Sequence, residues 1–104
     1  MKFNQHFNKK NIEAAIRVAL VNPDTDIRIN GERSKEKLYV RYIKFLGLLY
    51  FGKLVKKEDK YTEIERITHF DIEAAMRKQL SPNVWVKRMV DIFLEEKKEY
   101  EKIA

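Results

Sequence analysis

The chain has 104 residues, a net charge of +6, 44% hydrophobic and 37% charged residues, which is the length of one domain and the balance of a folded one. It has no cysteine, which excludes disulfides, thiolate catalysis and cysteine-based zinc sites together and points to a cytoplasmic setting. The apolar run at residues 45–52 falls far short of the roughly 20 residues of a membrane-spanning helix, and MKFNQHFNKK lacks the apolar stretch of a signal peptide, so no membrane association is expected.

The spacing predicts a first helix over residues 9–21, because Ile12, Ala15, Ile16, Ala19 and Leu20 follow i, i+3, i+4, i+7, i+8 and build one stripe. Asn8 or Asn11 supplies its cap, and Asn22-Pro23 stops it. Residues 26–30 (DIRIN) alternate and read as a short strand, after which Asn30-Gly31 bends the chain. A second helix is predicted from a Ser34 cap to about residue 51, with Leu38, Tyr42, Phe45, Leu46 and Leu49 buried and Gly52 as its end. Two strand-forming runs within residues 53–67 flank Glu58-Asp59 and read as a β-hairpin with a charged tip. A short helix over residues 71–80 turns Ile72, Ala75, Met76 and Leu80 inward. Ser81-Pro82 starts the last helix, which runs to about residue 100 with Trp85, Met89, Ile92 and Phe93 packed and EEKKEYEK solvated. The order α-β-α-β-β-α-α predicts an α+β protein: a small single domain, residues 1–104, with about four helices around a β-hairpin or three-stranded sheet.

Two heptamers echo each other, NIEAAIR at residues 11–17 and DIEAAMR at residues 71–77. Each opens on Asn or Asp, places Glu in the first turn and uses Ala-Ala, which is the common grammar of a helix start. The sequences after the two prolines diverge, a strand and turn against a continuous helix, so the echo is not a duplicated module. Its surplus is the match of Arg17 with Arg77.

Catalytic constellations are missing. Ser34 and Ser81 sit where caps belong, and His6 and His69 lack a metal-ligand spacing; His69 reads as a strand-end or helix-start residue. Aligning Gly31 with the glycine of a calcium loop puts Arg28 and Lys37 at ligand positions, which abolishes that site. Gly31, Gly47 and Gly52 are too dispersed to cradle a phosphate. The expectation is a non-enzymatic protein with no cofactor and no metal.

The charge is uneven. Residues 28–60 hold ten basic and four acidic residues, and thus the whole excess of the chain. Lys37, Arg41 and Lys44 fall at i, i+4, i+7 of the predicted second helix; Arg28 and Arg33 precede it, and Lys53, Lys56, Lys57 and Lys60 lie on the hairpin, with Tyr39, Tyr50 and Tyr61 interleaved. A basic helix beside a basic hairpin suits phosphate contact. Residues 43–65 are similar in rhythm to the end of a winged-helix domain: apolar helix, glycine, strand, charged tip, strand. The separate helix that must precede a recognition helix is absent from the pattern, so the likeness does not extend to membership. The primary expectation is nucleic-acid binding through these nine residues, DNA before RNA, as a small regulator. The alternative is a protein-binding inhibitor or adaptor, of the kind mobile elements direct against host replication or defence proteins, docking on an acidic surface. In that reading Trp85, Phe93 and Tyr100 anchor the partner or a homodimer, unless they pack in the core.

Overall fold

The computed structural model describes residues 9–29, 37–57 and 61–103, with the side chains of residues 57, 61, 62 and 103 excepted. The expectations for His6, Asn8, Asn30-Gly31, Arg33, Ser34, Glu58-Asp59 and Lys60 lie outside the described residues.

The class is α+β. Helix α1 (Lys9–Val21) leads to strands β1 (Ile27–Arg28), β2 (Leu38–Ile43), β3 (Leu48–Lys57) and β4 (Tyr61–Asp71), then to α2 (Ile72–Arg77) and α3 (Pro82–Ile103). The strands form one antiparallel meander in the order β1-β2-β3-β4. Helices α1 and α3 cover one face of it.

The largest departure from the sequence reading is the predicted second helix. Its described residues from Leu38 onward form β2, a turn and the start of β3. Leu38 and Val40, and after the turn Leu49 and Phe51, are buried, a period of two and not of 3.6. Helical burial would have hidden Phe45 and Leu46, which are 94% and 52% exposed in the turn. The run holds Tyr39, Val40, Tyr42, Ile43 and Tyr50, which suit a pleated half-buried surface, and Gly47 stands between the two strands with φ of 65°. The Gly47 carbonyl accepts from the Ile72 and Glu73 N–H groups at 3.0 and 3.3 Å, so the turn caps α2.

The core joins Ile12, Ile16 and Ala19 of α1 to Val86, Val90 and Phe93 of α3 over the four buried sheet residues. Phe93 stacks on Phe51 with ring centroids 4.5 Å apart, and Phe70 leans on it at 5.7 Å. Trp85 is buried and donates its indole N–H to the Leu80 carbonyl at 3.2 Å. Two polar clips join the helices: Lys9 with Asp91 at 3.0 Å, and Arg17 donating to Asn83 at 3.0 Å. The long α3 is not wholly solvated at its end, since Lys97 is buried and pairs with Glu101. In α2 only Ile72 is fully buried and Ala75 packs partly; Met76 and Leu80 are 55% and 41% exposed, contrary to the inward phase read from the sequence. A helix of 6 residues has too few turns to bury a stripe.

The heptamer echo resolves locally. Glu13 pairs with Arg17 at 3.0 Å and Glu73 with Arg77 at 3.1 Å, both at i, i+4. The matching arginines thus repeat one helix-surface device.

Candidate nucleic-acid interface

The face of the sheet away from the helices is organised as rows across the strands. Register places Arg28 opposite Tyr39, Tyr39 opposite Gly52, and Gly52 opposite Arg66. The neighbouring row runs Arg41, Tyr50, His69. Alternation puts all of these on the open face, because Val40, Leu49 and Phe51 between them point into the core. A shallow groove of about 250 Å³ over this face is lined by Asp26, Arg41, Ile43, Tyr50 and Ile64.

A β-bulge makes the first row. Phe51 pairs with Thr68 but Gly52 pairs with Arg66, so Ile67 is an extra residue in β4. Ile67 packs against the core, and Arg66 is re-aimed to the open face. Without the bulge, strict pairing would have put Arg66 opposite Lys53, on the helix side.

Gly52 is the slot in the middle. A Cβ there would lie 2.5 Å from Ile64 Cγ2, 2.8 Å from the Glu65 carbonyl oxygen and 3.0 Å from Tyr50 Cε1. The Tyr50 ring therefore lies along the sheet over Gly52, and its hydroxyl donates to the Ile64 carbonyl at 3.3 Å. Burial pushes the Tyr50 pKa up; Arg66 and Arg41 pull it down, while Asp26 and Glu63 push it further up. The phenol stays neutral at physiological pH. Arg41 is half-buried and faces Asp26, with Nε 3.0 Å from one carboxylate oxygen and Nη2 3.4 Å from the other. The Nε contact is an ion pair whose hydrogen is not aligned for a hydrogen bond. Arg66 donates to His69 Nδ1 at 2.9 Å, which fixes that nitrogen as an acceptor.

The structure separates the basic residues singled out in the sequence. Arg28 and Arg41 share the open face, with Lys37 at the start of β2 and Lys56 near the end of β3 in phase with them; Arg28, Lys37 and Lys56 are exposed. Lys44 is not in their row: it is exposed in the turn. Lys53 is half-buried on the helix side, opposite Glu65. Lys57 belongs to β3; Arg33 and Lys60 fall outside the described residues. Sequence reasoning passed over Arg66 and His69, and took the tyrosines mostly as core. The parity of Tyr39, Arg41 and Tyr50 within strand-forming runs was the signal for the face; nothing local announced the bulge that turns Arg66. With β2, a turn and β3 in place of a helix, the winged-helix likeness is gone.

A second feature is apolar. Phe45 and Leu46 in the β2–β3 turn, Met76 and Leu80 of the α2 region, and Val84 of α3 are exposed. A groove of about 420 Å³ lined by Leu20, Tyr42, Ile72, Met76, Leu80 and Trp85 runs beside them. The expected anchors are elsewhere: Trp85 and Phe93 are buried, and Tyr100 is half-buried with its hydroxyl donating to Glu65. Among the described residues no three metal-ligating side chains gather, and no helix is long and apolar enough to cross a membrane. No protein-family model matches the chain, and no curated protein or solved structure is significantly similar to it.

Proposed function

We propose that this is a non-enzymatic nucleic-acid-binding protein of the cytoplasm, and that the open sheet face is its contact surface. The observation that carries the reading is the separation of charge. Arg28, Lys37, Arg41, Lys56 and Arg66 share the open face with two carboxylates, Asp26, which is held by Arg41, and Asp71, which accepts from the Ala74 N–H at the start of α2. On the opposite side α3 carries five basic and five acidic residues, which cancel. A face with an excess of positive charge attracts a polyanion, and guanidinium groups suit phosphate oxygens.

The test is fluorescence anisotropy of labelled nucleic acid at two salt concentrations, with Arg28→Glu/Arg66→Glu and, as a control on the covered side, Lys87→Glu/Lys98→Glu. The first pair weakens binding and flattens the salt slope by roughly 0.7–0.9 for each phosphate that is no longer neutralised. Equal effects of both pairs would place the binding surface elsewhere.

A second reading, docking on a protein as a small inhibitor or adaptor, is favoured by Phe45, whose 94% exposure at a turn is unusual for a large aromatic. Phe45→Ser would abolish partner capture in that case while leaving nucleic-acid affinity unchanged.

A further inference from the structure

The open face has a shape as well as a charge, and the shape discriminates between kinds of nucleic acid. We infer that it takes single-stranded DNA, with bases laid on Tyr39 and Tyr50 and phosphates on the arginines at the two edges; this rests on the nucleic-acid reading above.

The first ground is width. Neighbouring strands lie about 4.8 Å apart, so the Arg28–Tyr39–Gly52–Arg66 row spans about 14 Å between outer strand axes before side chains are added. The major groove of a duplex is about 12 Å wide and admits a helix or a two-stranded ribbon. The four-stranded part of the face does not enter it; the β3–β4 ribbon beyond Lys53 is narrow enough, but it carries neither Tyr39 and Tyr50 nor the flanking arginines. Helices α1 and α3 lie on the other side of the sheet.

The second ground is the centre of the face. Tyr39 is half-buried beside Gly52, and Tyr50 is laid over Gly52 by its hydrogen bond to the Ile64 carbonyl. A half-buried tyrosine held parallel to a sheet presents one ring face outward, which is what an unstacked base requires. The cations flank this aromatic centre: Arg28 on β1 and Arg66 on β4 occupy the two edges of the row. That arrangement fits a strand with its bases inward and its backbone outward. A duplex presents backbone alone to such a face.

The third ground separates DNA from RNA. The Tyr50 hydroxyl is engaged by Ile64, and in the adjoining groove, lined by Asp26, Arg41, Ile43 and Ile64, the carboxylate and the guanidinium are paired with each other. A ribose 2′-hydroxyl set against Ile43 or Ile64 loses water without gaining a partner. Deoxyribose meets them without that cost.

The experiment uses the full chain with three fluorescein-labelled probes of equal length: an oligothymidylate, its duplex with oligodeoxyadenylate, and an oligouridylate. Tyr39→Ala, Tyr50→Ala, Tyr50→Phe and Arg66→Glu are compared, with circular dichroism melting to confirm folding. The oligothymidylate binds tightest. Each Tyr→Ala change weakens it roughly 5- to 150-fold with the salt slope unchanged, Tyr50→Phe retains binding, and Arg66→Glu flattens the slope. If Tyr50→Ala does not fold, Tyr39→Ala carries the test. Duplex bound as tightly as single strand, with Tyr39→Ala neutral, overturns the inference and leaves the nucleic-acid reading standing. Tighter binding of the oligouridylate overturns the assignment to DNA. No binding of any probe at low salt overturns both readings.

Discussion

Gly52→Ala probes fold and interface with one methyl group. The added Cβ meets Ile64 Cγ2 at 2.5 Å, the Glu65 carbonyl oxygen at 2.8 Å and Tyr50 Cε1 at 3.0 Å. The tyrosine ring can lift, but the Glu65 oxygen belongs to the backbone of the paired strand and cannot yield without opening the β3–β4 ladder beside the bulge. Overpacking of this kind costs about 1–3 kcal/mol. Against it stands the ordinary gain of Ala over Gly within a strand, about 0.5–1 kcal/mol. The net is a loss of up to about 2.5 kcal/mol, in the upper part of that range because two of the three contacts lie under 3.0 Å, with a fall in melting temperature of about 4–8 °C per kcal/mol for a domain of this size. Urea unfolding followed by tryptophan fluorescence reads it as a lower midpoint at unchanged m-value. The Tyr50→Ala/Gly52→Ala double variant separates the causes: the clash with the ring vanishes and the clash with the backbone remains, so the cost of the methyl group falls but does not disappear. Stability of Gly52→Ala equal to or above that of the parent would refute the close approach of Tyr50, Ile64 and Glu65 around this residue.

Other expectations follow from single positions. Gln79 has φ of 58° where α2 ends, with Leu80 N–H donating to the Ala75 carbonyl and Gln79 N–H to the Met76 carbonyl, a Schellman closure. Gln79→Gly relieves the left-handed strain and raises stability by about 0.5–1 kcal/mol in urea unfolding; a loss would contradict it. Tyr100 has its pKa raised above the usual value, first by its hydrogen bond to Glu65, then by burial, then by the Glu65 charge. A raised folded-state pKa gives stability that is present below pH about 10 and disappears as pH climbs through the folded value. Tyr100→Phe should therefore cost up to about 1 kcal/mol near neutrality and lose less than the parent does as pH rises above about 10, where Tyr50, its pKa also raised, adds to the alkaline loss of both proteins. Parallel curves would sink the assignment. Phe45→Ser changes stability by less than about 0.5 kcal/mol, since the ring is 94% exposed, and a larger loss would mean that the ring packs in the fold.

The elements with one dominant physical signal were legible. Helix α1 occupies the residues its apolar spacing marks, because Ile12, Ile16 and Ala19 have only one face to bury. The β3–β4 hairpin lies where its strand-forming runs flank Glu58-Asp59, and α3 begins at Pro82 as the Ser-Pro step requires. His69 sits near the end of β4, where a strand-end residue was expected. The failure at residues 34–51 has a definite cause. Leu38, Tyr42, Phe45, Leu46 and Leu49 fit a helical stripe, yet Leu38, Val40, Leu49 and Phe51 fit alternation equally well, and a continuous apolar run does not choose between the two periods. Gly47 in the middle and the tyrosines around it weighed toward strands, and only the pairing of β2 with β3 settles it. The site suffered from the same error. The i, i+4 pair Lys37 and Arg41 stays on one side in either geometry, since four is even, whereas Lys44 and Lys53 move away. Arg66 joins because of a bulge that depends on a tertiary fit around Gly52.

The most direct measurement is a two-dimensional amide and tyrosine-ring NMR titration of the full chain with oligothymidylate at low salt. The open-face account predicts shifts concentrated at Arg28, Tyr39, Arg41, Tyr50 and Arg66, with the amides along the exposed side of α3 unmoved. Shifts centred on Phe45, Met76 and Val84, or on α3, would contradict it and move the binding surface to the apolar edge or the helical side of the molecule.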